Sequence, residues 1–160
     1  MPVSTADDVS LALATRKKNN IPNFHCPRSA DPGDHNRVRD FIAEYPDVKH
    51  RPNAKASLGY NCHGLTFGAR RTGITDSADV AKILKDDGYR VLQDSERIWF
   101  GDVAIYLEQG EITHSGIVVF VEPNGTPWIL SKWGRYHEAV HKPLDCPYRS
   151  GGVKYYRLEI

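Results

Sequence analysis

The sequence predicts an α+β fold, with N-terminal helices packed on a small antiparallel sheet. Two observations carry this. Apolar residues at helical spacing are confined to the chain before Gly88, and after it come runs of β-branched and aromatic residues separated by tight-turn sequences. Helices first and hairpin-connected strands second is the order of an α+β domain rather than of alternating βα units.

The elements follow in chain order. A short helix is expected around Val9 to Arg16, followed by IPNFHCPRSADPG, whose prolines forbid a long regular element. In DHNRVRDFIAEY, Val38, Phe41, Ile42 and Tyr45 recur at helical spacing until Pro46. Lys49 to Leu58 is polar and irregular. A helix then opens at Cys62, with Cys62, Leu65, Thr66 and Ala69 on one face, and Gly64 and Gly68 allow another backbone to come close. The next helix is capped by Thr75 or Asp76, buries Val80, Ile83 and Leu84, and ends at Gly88. Beyond YRVL, the strands are VAIYL, ITHSGIVVFV, PWILSKW and VKYYRLEI, with turns at EQGE and EPNG.

At 160 residues, with 40% hydrophobic and 26% charged, the chain reads as one globular domain over 1–160, residues 1–50 being an extension of their own. A net charge of +1 gives no global field for nucleic acid, and no run reaches the roughly 20 apolar residues of a membrane span. MPVSTADDVSLALATRKK places acids before and bases after its apolar stretch, the reverse of a secretory leader, so the cytoplasm is the default expectation, with leaderless export left open. Three cysteines, Cys26, Cys62 and Cys146, make no disulfide framework, although a Cys26–Cys146 bridge could be drawn in an exported protein. No cofactor or metal is expected. His25–Cys26 and Cys62–His63 are adjacent pairs without zinc-ligand gaps, and glycines 59, 64 and 68 lack the Gly-Lys-Ser/Thr ending of a phosphate loop.

The chemistry-bearing residues are a cysteine and a histidine. A thiol at the start of a helix meets free N–H groups and partial positive charge, which favour the thiolate. Cys62 is so placed. Its base must come from another part of the fold, and His114 is the best candidate, on a strand whose alternation puts Ile112, His114, Gly116, Val118 and Phe120 on one face. Asn61 would cap the helix or lend its amide to an oxyanion, and Tyr60 would shape the pocket. Trp99, Phe100, Trp128 and Trp133 read as core and rim packing.

Two blocks in this order, NCHGL at 61–65 and GDVAIYLEQGEITHSGIV at 101–118, resemble the NlpC/P60 and CHAP group of papain-like cysteine peptidases and amidases. That group's nucleophile block commonly reads Asp-Cys-Ser-Gly-Leu, and its base block runs from Gly-Asp to His-x-Gly-Ile. Asn61 and His63 depart from the common aspartate and serine. The likeness spans roughly residues 59 to 133. It implies a papain-like fold, Cys62 as nucleophile, His114 as base, and an amide substrate: a peptide, a peptidoglycan fragment or a protein side-chain amide. Glutamine deamidation or acyl transfer would use the same chemistry, and a binding domain keeping the frame without a productive site is the non-enzymatic alternative. The group also places an orienting residue on the strand after the base. A hairpin setting Val121 opposite Thr126 sets His114 opposite Trp133, which makes Ser131 the nearest polar side chain on the histidine's face. Lys132 would point to the other face, and His137 would reach only if the chain bent after Gly134.

Overall fold

The computed structural model describes residues 9–159. The first eight residues, part of the leader reading, and Ile160, the end of the last expected strand, lie outside the described residues. Seven strands, β1 (Lys49–His50), β2 (Tyr89–Val91), β3 (Val103–Glu108), β4 (Glu111–Val121), β5 (Pro127–Lys132), β6 (Glu138–His141) and β7 (Gly152–Leu158), form one sheet. The order is β1-β6-β5-β4-β3-β7-β2 with every neighbour antiparallel. Among the described residues three helices complete the mixed α+β architecture: α1 (Pro32–Glu44), α2 (Cys62–Gly68) and α3 (Ser77–Asp86). Among the described residues no helix is long and apolar enough to cross a membrane.

Each helix starts where its sequence supplies a cap. Asp31 accepts from the Asp34 amide at 2.8 Å while the Asp34 carboxylate accepts from the Asp31 amide, a capping box with Pro32 in the first turn. Asp76 caps α3, and Asn61 caps α2. The sheet buries both faces. On one, Ala104, Tyr106, Val118, Ile129 and Ala139 pack with Phe41 of α1 and with Trp133. On the other, Val103 and Ile105 pack with Val80, Ile83 and Leu84 of α3 and with Ile21.

Several expectations need correction. Val9 to Arg16 is not helical: Val9 pairs with His25 and Ala14 with Asn20 in antiparallel bridges. The Asn23 amide bonds both the N–H and the carbonyl of Leu11, holding this stretch extended where intrahelical bonds would compete. Trp99 and Phe100 are not packed in the core. They are 57% and 77% exposed on a turn that Asp102 caps from below, with the Arg157 guanidinium 3.8 Å over the Trp99 ring. The β4–β5 hairpin pairs Val121 with Pro127, one residue off the expected register, and an irregularity between Val118 and Phe120 restores the expected alignment at Ile117–Leu130. Finally, Gly64 and Gly68 are expected to suit a central helix under a sheet, but the close approach at Gly64 is to the loop at Thr72.

Candidate active site

The site begins with the way α2 is anchored. Oδ1 of Asn61 accepts from the amides of Gly64 (2.9 Å) and Ile74 (3.1 Å), and its Nδ2 donates to the Ile74 carbonyl (2.7 Å). Asn61 thus acts as cap and clamp, with its oxygen shared by two amides and one of its two N–H donors spent on Ile74. The clamp fixes Cys62, whose side chain is buried at the floor of a cavity of about 590 Å³. Tyr60, His63, Thr113, Arg135 and Tyr148 also line it, and Cys26 stands on its wall.

Burial pushes the Cys62 thiol up to about 11. Backbone N–H groups of Ser115, His63 and Cys62 itself, with the Lys132 ammonium, pull in the opposite direction. The Ser115 N–H matters for geometry. β5 pairs with β4 only as far as Ile117–Leu130, and α2 packs against both strands. A strand N–H lies in the plane of its sheet. The thiol therefore meets β4 on its flank, beside the peptide that joins His114 to Ser115.

His114 is fully buried, opposite Tyr106 in the β3–β4 register. Its ring stacks on Tyr148, with centroids 3.7 Å apart and planes within 5°. Neither ring nitrogen has a hydrogen-bond partner, so no hydrogen bond joins His114 to Cys62 in this state. Burial, followed by His141 and His63, lowers the imidazole well below its ordinary range and keeps it neutral. Ser115 leaves β4 toward α2, where its hydroxyl bonds Thr66 (3.0 Å) and His63 (2.8 Å).

The expected orienting residue is corrected. Ser131 packs across Gly116 on the histidine's face, but its hydroxyl bonds Nε2 of His141 at 2.7 Å, because β6 brings that imidazole alongside β5. His137 bends away as well, with Nε2 on Nδ1 of His50 at 2.8 Å. The three cysteines are free, Cys146 lying in the core under Tyr106, so no Cys26–Cys146 bridge exists.

Two further residues have a place in the site: Lys132, set aside from sequence as a partner for His114, and Glu138, not singled out at all. Lys132 does point to the other face, which is the face of α2. Its buried Nζ donates to the carbonyls of Ser57 (2.8 Å) and Gly134 (2.7 Å), lies 4.7 Å over the Tyr60 ring, and is pulled down to about 7 by burial. Alternation gave its direction; the arrival of the thiol on the same side was not readable. Glu138, paired with Lys132 across the β5–β6 ladder, accepts from the Tyr60 hydroxyl and, through both oxygens, from Arg70 Nε (2.7 Å) and Nη2 (2.9 Å), and so braces the wall.

Comparison with family models, with curated proteins and with solved structures gives no match for this chain.

Proposed function

We propose that this protein is a papain-like thiol hydrolase of amide bonds, with Cys62 as nucleophile and His114 as its base. One observation carries the reading. A fully buried imidazole with neither nitrogen hydrogen-bonded stands on the residue whose peptide adjoins a cavity-floor thiol. Buried polar groups are nearly always satisfied, and an orphan imidazole is costly unless another use retains it.

In the proposed cycle, Sγ of Cys62 bonds to the amide carbonyl carbon as its proton passes to His114. The carbon–nitrogen bond breaks, and His114 returns the proton to the departing amine, leaving a thioester. Water then attacks the thioester, releasing a carboxylic acid and the free thiol. The substrate is a peptide, with cell-wall fragments first in rank, or a protein side-chain amide, in which case ammonia leaves. An amine in place of water would make the same site an acyl-transferase. A silent binding domain is the rival reading, favoured by the Tyr148 ring that covers His114.

The test is incubation with peptidoglycan fragments and with glutamine peptides, following amine or ammonia release and mass spectrometry of acyl-Cys62. Product lost in Cys62→Ala and His114→Ala supports the hydrolase. No product, together with a pH profile of Cys62 alkylation unchanged by His114→Ala, leaves the binding domain.

A further inference from the structure

His63 follows the nucleophile directly, and the proposed cycle gives it no task. It is almost fully buried yet lines the cavity. Its protonation pattern can be worked out from a chain of hydrogen bonds. Thr66 Oγ1 donates to the Cys62 carbonyl at 2.9 Å, since a carbonyl only accepts. Thr66 thereby spends its one proton and accepts from Ser115 Oγ at 3.0 Å. Ser115 in turn has spent its proton, so the 2.8 Å contact to His63 Nδ1 requires the imidazole to donate. The mobile proton of His63 is thus on Nδ1, and Nε2 holds a lone pair.

Nε2 has no protein partner among the described residues, and it is not one of the sealed, unpartnered nitrogens, which belong to His114, Trp133 and His137. It opens to the cavity that Cys62 floors. We infer that His63 is a specificity-determining residue: a fixed hydrogen-bond acceptor beside the thiol that selects substrates carrying an N–H on the reacting carboxamide over esters of the same shape. Burial holds His63 down at about 4, so the ring stays a neutral acceptor at neutral pH. The role rests on Cys62 being the reacting group, and its test separates the two.

The first measurement is the 15N spectrum of the wild-type histidines, assigned by His63→Gln. It is expected to show Nδ1–H and a bare Nε2 at His63, and the opposite tautomer overturns the inference. The second compares the rates at which Cys62 is alkylated by iodoacetamide and by ethyl iodoacetate, the amide and ester of one electrophile. Taking their ratio cancels intrinsic thiol reactivity, so the readout does not depend on His114 or on turnover. His63→Leu, which removes the acceptor, is expected to lower the amide-to-ester ratio about tenfold. His63→Gln, whose amide oxygen reaches the place of Nε2, is expected to keep it within about threefold. An unchanged ratio in His63→Leu overturns the role even if the enzyme proves active. A changed ratio with no hydrolysis of any amide would instead keep the acceptor and defeat the hydrolase.

Discussion

Gly64→Ala isolates the packing that places Cys62. In an ordinary helix the change would stabilise by roughly 0.5–1 kcal/mol, because alanine restricts the unfolded chain. At Gly64 the new carbon would lie 1.7 Å from the Thr72 carbonyl oxygen and 2.9 Å from its carbon, where ordinary contact begins near 3.4 Å. Backbone, not a flexible side-chain end, stands in the way, so α2 or the Thr72 loop must move by more than an ångström. Overpacking of a well-filled site typically costs about 1–3 kcal/mol, and a backbone collision of this depth belongs at the upper end or beyond. The neighbouring Gly68→Ala is the control, since its new carbon meets only the Thr72 methyl at 3.5 Å. Urea denaturation should find Gly68→Ala near the parent and Gly64→Ala about 3 kcal/mol below it. The cavity should deform as well, so Cys62 alkylation should change in Gly64→Ala alone. A Gly64→Ala protein as stable as Gly68→Ala would refute the close approach.

Glu138→Gln removes the charge that Arg70 and Tyr60 hold. Burial works to raise this carboxyl but those hydrogen bonds outweigh it, and the net shift is downward. Because Arg70 is half exposed and can be resolvated, the loss should be about 2 kcal/mol at pH 7; it should shrink as pH falls below the unfolded glutamate value and vanish only below the lower folded one, as thermal melts across pH can check. His63, His137 and His141 are each held near 4, chiefly by burial, and His114 is also held well below its ordinary range. The unfolded chain binds these protons first, so stability is full above about pH 6.5 and falls as pH drops toward 4, by up to about 1.4 kcal/mol per pH unit per histidine. Denaturation curves at stepped pH should give a slope of more than one proton, reduced in His141→Gln. Cys62 works in the other direction: with its folded value raised to about 11, stability should decline from about pH 8.5 upward, and Cys62→Ala should remove that part of the decline. Tyr148→Ala uncovers His114, and its imidazole, followed by NMR, should titrate closer to 6.5 than in the parent.

Much of the frame was legible because local chemistry and packing agree. Asn61 and Asp76 cap the helices as expected, and the alternation of β4 and β5 assigned His114, Ser131 and Lys132 to the faces they occupy. The failures share one cause, the non-local partner. Ser131 was on the expected face, yet its bond is decided by β6, which reaches β5 from the far side through His141. Tyr148 sits 34 residues beyond His114 in a turn-rich stretch, and no periodicity announces that its ring will cover the imidazole. The Val9–Arg16 segment looked helical by spacing, but Asn23 satisfied its backbone first.

The separation of faces along β4 explains how the site can hold a thiol and an imidazole without joining them. Ser115 points to α2 and His114 points the other way, so a thiol set squarely on either face would meet only one of them. Placed on the strand's flank, Cys62 lies beside the Ser115 amide and within the field of the Lys132 amine, which comes from the α2 side. Burial meanwhile raises the thiol, draws the amine toward 7 and lowers the imidazole. Keeping the thiol and the imidazole neutral avoids the desolvation cost of a standing buried ion pair between them, which is several kcal/mol per ion. In the proposed cycle charge is created by proton transfer as a bound carbonyl begins to accept the sulfur, and that is the stage at which the backbone N–H groups around Cys62 would interact most strongly with it.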